Sequence, residues 1–182
     1  MTSDPAENGP LSAEARATLE ARAKALAQPL EEESPRGDTV ELVGFSSAGA
    51  RYAVEATQVV EVVAVDDPTP VPGTPPAVLG VVNHRGRIVT VVDVARLLGL
   101  PRQDTLEGAL VVVTSGEATF AIRTESTPEI VSLERRDLLP AAGVLDEQDS
   151  VVRGVTGSMV AVLDVEAIAR DPRIAVDEQV EW

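Results

Sequence analysis

From Thr39 onward the chain alternates short apolar runs with turn-forming residues. Runs near 40–46, 51–55, 59–65, 78–83 and 87–92 read as strands, separated by clusters rich in Gly, Pro, Asn, Asp or Ser. A short helix is expected at Val94–Leu98, with Gly99 as its C-cap and Pro101 beyond it. A second series follows at 109–114, 118–123, 128–133, 151–156 and 158–163, and it too closes on a short helix, Val165–Arg170. Closely spaced short strands with turn signals between them predict a barrel or a sandwich. Residues 1–38 follow a different pattern. Ser12 to Gln28 reads as a helix, with Ser12 as N-cap, Glu14 in the first turn and Pro29 as the stop. Its apolar face (Leu11, Ala15, Leu19, Ala23, Leu26) is narrow, with alanine at two of its five positions, and too thin to make a core alone. Such a helix either docks weakly on the domain or serves as a tether or partner-binding element.

The two strand series resemble each other. Tyr52-Ala53-Val54 stands 68 residues before Phe120-Ala121-Ile122, and Glu61-Val62-Val63 stands 68 before Glu129-Ile130-Val131. Gly80-Val81 precedes Gly154-Val155 by 74, and Val91-Val92-Asp93-Val94 precedes Val162-Leu163-Asp164-Val165 by 71. The drift is what loop insertions produce, so a duplicated unit is inferred. Units this small bury too little surface alone and are expected to share a core. The expected organisation is an N-terminal extension at 1–38, a domain at 39–172 and a tail at 173–182. Within the domain, a first β-subdomain spans about 45–100 and a second is formed mainly by 105–165, with exchange of terminal segments left open.

Composition sharpens the fold class. Valine accounts for 29 of the 182 residues, whereas Phe45, Tyr52, Phe120 and Trp182 are the only aromatics. The core must be aliphatic, and β-branched side chains favour strands, so the class is all-β with short helices. Fifteen basic against 30 acidic residues give a formal charge of −15, which opposes nucleic-acid phosphates and anionic membrane surfaces. No stretch approaches the ~18 apolar residues of a membrane span, and Met1–Pro10 carries no apolar signal core. A cytoplasmic protein without membrane insertion or nucleic-acid binding is expected.

Candidate chemistry is sparse. Cysteine is absent and His84 is the single histidine, so neither a thiolate nor a transition-metal site is expected. The repeated Asp93 and Asp164 suggest the paired carboxylates of an aspartic hydrolase. Each is followed by Val where such enzymes carry Thr or Ser and then Gly, so both read better as helix N-caps. No phosphate-binding glycine loop and no Gly-x-Ser-x-Gly elbow occurs, and neither catalysis nor a cofactor is expected. Five prolines in Pro68–Pro76 read as a stiff connection leading to the hairpin Asn83-His84-Arg85-Gly86. His84 is read as a loop-tip residue there. Arg85, at a rigid turn between apolar strands, is well placed as an interface anchor.

The stretch Tyr52–Gly99 resembles the CheW family of chemotaxis coupling proteins. The residues that carry the resemblance are Tyr52-Ala53-Val54-Glu55, Val59-Val60-Glu61-Val62, Thr74-Pro75, Gly80-Val81-Val82-Asn83-His84-Arg85-Gly86, Ile88 to Val94 and Leu97-Leu98-Gly99. The similarity continues more weakly to Pro172, and residues 1–38 lie outside it. The resemblance implies two five-stranded SH3-like barrels and a non-enzymatic adaptor. Its implied partners are the regulatory domain of a CheA-type histidine kinase and the cytoplasmic tip of methyl-accepting chemoreceptors, joined in a signalling array. It also implies protein-binding roles for Val59 as an exposed apolar knob, Glu61, Gly80 as a point of close approach, Asn83 and Arg85. The sequence departs from the family pattern at His84, at Thr90 and over Thr124-Glu125-Ser126-Thr127, which is followed by Pro128. These departures raise an alternative, a specialised or decoy regulator that binds only one of the two partners.

Overall fold

A computed structural model describes residues 38–64, 67–101, 108–141 and 151–174. The helix expected at 12–28 and residues 175–182 lie outside them. In chain order the elements are β1 (Thr39–Ser47), β2 (Ala50–Glu55), β3 (Val59–Ala64), β4 (Val78–His84), β5 (Arg87–Val92) and α1 (Val94–Leu97). They continue with β6 (Ala109–Ser115), β7 (Ala118–Arg123), β8 (Glu129–Glu134), β9 (Leu138–Pro140), β10 (Val152–Thr156), β11 (Val160–Leu163) and α2 (Val165–Arg170). Short 3₁₀ turns at Ala56–Gln58 and Arg135–Asp137 lead out of β2 and β8. The strand series read from the sequence is present, and β9, whose apolar run is only two residues long, is the addition.

The strands form two sheets that do not follow the two halves of the sequence. One sheet has the order β8-β1-β2-β11-β10-β9, the other β3-β6-β7-β5-β4. Each takes an antiparallel pair from one half (β1–β2 or β6–β7) and the remaining strands from the other. The joins are equivalent as well: β2 pairs parallel with β11, and β7 pairs parallel with β5. Where β9 adds a sixth strand to one sheet, the other has an isolated bridge between Thr69 and Val81. The exchange confirms the duplication in space, because equivalent strands hold equivalent places.

Burial follows from this exchange. On β6, Leu110 and Val112 face a small core inside the five-stranded barrel, while Val111 and Val113 face a larger core between the barrels. On β2, Ala53 points into the six-stranded barrel, and Tyr52 and Val54 point into the shared core. Phe120 and Ile122 join that core from β7, with Ala121 turned inward. The repeated large-small-large triplet is thus a layer rule, with the small residue inside its barrel and the large ones between barrels. Strands buried on both faces read as continuous apolar runs, which accounts for the Val-rich segments.

Both helices begin at the repeated aspartates. Asp93 Oδ1 accepts from the Arg96 N–H at 3.1 Å, and Asp164 Oδ1 accepts from the Ala167 N–H at 2.9 Å. They are N-caps, as read from the sequence. The α1 cap is Leu98, and Gly99 follows it at φ 74°, with its N–H donating to Arg96 O and that of Leu100 to Ala95 O. That double bond closes the helix in a left-handed glycine turn.

The chain after α2 ties the two halves together. The Asp171 carboxylate accepts from the Arg173 N–H at 2.8 Å, from Nε at 2.9 Å and from Nη2 at 2.6 Å. Arg173 Nη1 donates to Leu97 O, the carbonyl ending α1, at 2.7 Å. Ile174 is buried in the shared core, so Arg173 and Ile174, read from the sequence as the start of a tail, belong to the body. The Arg173 guanidinium holds the Asp171 carboxyl below its ordinary value of 3.8, outweighing the opposite effect of burial. A carboxyl lowered in the folded state stabilises fully above its unfolded value, and that contribution fades as pH falls through the lower folded value. Asp171→Asn is expected to lose about 2 kcal/mol at pH 7. The difference from wild type should shrink steadily as pH falls below the ordinary carboxylate value of 3.8. Urea unfolding of both proteins from pH 7 to pH 2.5 measures it, and a pH-independent difference would contradict the ionic origin.

Candidate functional site

The β4–β5 hairpin turns on two residues, Arg85 at φ 51° and Gly86 at φ 80°. Two consecutive left-handed residues give the tight hairpin turn that matches strand twist. Gly86 adopts this conformation freely, but an arginine side chain is strained there, at a cost of order 1 kcal/mol. Asn83 braces the turn, its Oδ1 accepting from the Gly86 N–H at 2.9 Å. The guanidinium of Arg85 remains 73% exposed, and its Nη2 lies 2.7 Å from Glu61 Oε2. His84 Nε2 approaches the same oxygen at 3.5 Å. That oxygen is shielded from water yet receives no well-directed hydrogen bond, so the attraction is charge on charge. The cluster spans β3 and β4, the two edge strands of the five-stranded sheet. A hollow of about 230 Å³ lies beside it, with Leu110 and Val112 of the barrel core among its walls.

Glu61, Asn83 and Arg85 therefore sit together at this edge, and His84 joins them. His84 is the last residue of β4, its side chain only 14% exposed and turned toward Glu61. The loop-tip reading of His84 is corrected, because a two-residue turn places the tip at Arg85–Gly86. Val59 is half-buried against the shared core, which is no place for an exposed knob. A bulge between Val59 and Glu61 and the alternation of β3 leave Val60 and Val62 exposed instead, at 53% and 43%. Gly80 is a point of close approach, but to its own chain. At φ 142°, a Cβ there would lie 2.2 Å from Thr69 O. Gly80 thus shapes the face from behind, at the bulge of β4.

Sequence reasoning missed Ile88, the residue after Arg87, which is 71% exposed beside the turn. In the alternation of β5 it occupies an outward position, but an apolar residue gives no sign of that in sequence. The polar segment Thr124–Ser126 is the crossover from β7 to β8 and is engaged internally. Buried Thr124 Oγ1 accepts from the Ala109 N–H at 2.9 Å, and Ser126 Oγ accepts from the Ser46 N–H at 3.0 Å. These hydroxyls tie the crossover to β6 and β1, one strand of each sheet. Among the described residues no cluster of three or more His, Cys, Asp or Glu side chains could hold a metal ion, and no helix is long and apolar enough to cross a membrane.

Two interlocked barrels with a rigid exposed edge define a docking scaffold. The model of the CheW-like domain matches residues 41–173, and the chain belongs to that family. It is 26% identical to the chemotaxis protein CheW of Rhizobium meliloti (strain 1021) over 133 residues, covering 70% of this chain and 86% of the relative. It is 24% identical to the chemotaxis protein CheW of Bacillus subtilis (strain 168) over 132 residues, covering 70% and 85%. In fold it matches the crystal structure of the scaffolding protein TtCheW from Thermoanaerobacter tengcongensis, with a TM-score of 0.63 at 21% identity, covering 69% of this chain and 89% of that one. Two SH3-like barrels are the shared architecture. Family members are scaffolding and adaptor proteins, not enzymes, and this chain is a CheW-like adaptor of chemotaxis signalling.

The strained turn has a direct consequence. Arg85→Asn replaces a strained residue with one that tolerates the left-handed region, at the loss of a largely solvated ion pair worth little. Its stability in urea should equal that of wild type or exceed it by up to about 1 kcal/mol. A loss of more than ~1 kcal/mol would show that Arg85 is kept for the fold.

Proposed function

We propose that this chain couples chemoreceptors to a CheA-type histidine kinase, binding the kinase's regulatory domain and the cytoplasmic tip of methyl-accepting receptors within a membrane-associated array. The observation that carries the reading is Arg85, an exposed cation held on a strained turn and aimed by Glu61 across a barrel edge. Ala48 and Met159 are also left-handed, but of these three described residues only Arg85 carries a charge, and strain kept beneath an exposed charge supports a role for what that charge touches. Arg85 serves as the anchor and Glu61 orients it. Asn83 holds the turn, and Gly80 and Val59 set the strands that present it. Val60, Val62 and Ile88 supply exposed apolar area near these strands. Residues 39–172 act as the coupling module, with 1–38 as an extension beyond it and the final residues as a tail.

The alternative, a specialised or decoy regulator of another chemosensory pathway that binds only one partner, is raised by the altered segment Thr124–Pro128. Thr124 and Ser126 are spent on the crossover, which supports the two-partner reading. Calorimetric titration of the purified chain with the regulatory domain of a CheA-type kinase from the same organism tests it. Micromolar binding is expected, and Arg85→Ala should weaken it by about 2 kcal/mol, roughly thirty-fold, without loss of fold. Unchanged affinity in Arg85→Ala would remove Arg85 from the interface. Absence of binding by folded wild type would overturn the coupling role.

A further inference from the structure

The two barrels are equivalent by repeat, yet their open edges are chemically different. In the five-stranded barrel, Glu61 faces His84 and Arg85, and the charges satisfy one another. Its counterpart in the other barrel, 68 residues on, is Glu129. The turn that follows Thr156 on the same hollow as Glu129, Gly157-Ser158-Met159, carries no charge. Glu129 is exposed and has no ion-pair partner among the described residues. Arg51, on the same hollow, is likewise exposed and without one. By register Glu129 pairs with Gly44, and Arg51 pairs with Ser46 two positions along β1. Opposite charges therefore stand two strands apart and two residues out of step, roughly 12 Å between α-carbons, on the rim of one hollow.

The hollow measures about 270 Å³. Its depth comes from Gly44. Gly44 pairs with Ala53 as Val112 pairs with Ala121 in the other barrel, so the repeat places a valine where this barrel has none. Buried Leu42 and Ala53, with Val131 and Leu133, form apolar walls. Ser126, Thr127 and Ser158 add hydroxyls to the lining. An apolar cavity of about 150 Å³ holds a benzene molecule, so a branched aliphatic side chain fits here with room for a polar head. A purely apolar ligand would desolvate Glu129 and Arg51 without replacing their water. A phosphate-bearing ligand would meet Glu129 and the charge of −15. A short zwitterion with an aliphatic chain meets every feature.

We propose that this hollow binds a free hydrophobic α-amino acid, with its side chain over Leu42 and Val131, its ammonium at Glu129 and its carboxylate at Arg51. Amide spectra of the full chain, recorded during titration with L-leucine, test the proposal. Saturable shifts are expected at Gly44, Glu129 and Thr156. Leucine lacking its amine (4-methylpentanoate) or its carboxylate (3-methylbutylamine) should bind at least ten-fold more weakly. Gly44→Val should abolish the shifts with the rest of the spectrum intact, since a Cβ at residue 44 meets neighbours only at 3.7 Å or beyond. Glu129→Gln is an independent arm on an exposed residue. It should weaken leucine at least five-fold and leave 4-methylpentanoate unchanged. Shifts that do not saturate, that persist in Gly44→Val, or that are matched by either analogue would overturn the proposal.

Discussion

The structure depends on a core that belongs to neither barrel. Among the described residues, nineteen buried apolar side chains from both sheets and both helices meet between the barrels. The buried cores inside the barrels hold five and three residues. Burying an aliphatic side chain contributes about 1.5–3 kcal/mol, so exposing even five of the shared-core side chains would cost on the order of 10 kcal/mol. A domain of this size has a net stability of roughly 5–15 kcal/mol. The barrels therefore cannot part while folded. Strand exchange reinforces this, because each barrel is completed by a pair of strands from the other half of the chain. The crossover at Thr124–Ser126 and the Asp171–Arg173 link to Leu97 fasten the exchanged segments.

That shared core decides which surface is left for partners. The central strands are covered on both faces, so partner-facing chemistry falls to edges and turns. β3 and β4 are the edges of the five-stranded sheet, and Glu61 and Arg85 lie on and just beyond them. Neighbouring β6 is buried throughout its central residues and gives β3 a rigid backing. Under the proposed coupling role, that backing holds the strained Arg85 in one conformation and lowers the ordering cost of binding. The other barrel shares this geometry but has lost the charges that close its edge, and Gly44 has hollowed it. The repeat gives two equivalent strand frameworks, and β9, Gly44 and an uncharged turn make their edges different.

Much of this was legible in sequence because the signals were local. Strand and helix positions followed from apolar runs and turn residues. The repeat followed from Tyr52-Ala53-Val54 and Phe120-Ala121-Ile122, and the caps from Asp93 and Asp164. Which strands share a sheet was not legible, since pairing across the two halves leaves no local mark. The same limit affected the site. Val59 and Val60 are both valine, and only the bulge and the pleat decide which is exposed. Gly80 announced a close approach but not to what, and Thr69 proved to be its neighbour. The polar residues at Thr124–Ser126 looked like a change of surface because their bonds to Ala109 and Ser46 are made across the fold.

The central claim is that two exchanged barrels form one cooperative unit. Native-state hydrogen exchange in rising urea tests it most directly, followed at amides of β2 in one barrel and β6 in the other. The account predicts that the slowest amides of both strands converge on one opening free energy equal to that of global unfolding. Separate limits for the two strands, with one barrel opening while the other stays protected, would contradict it.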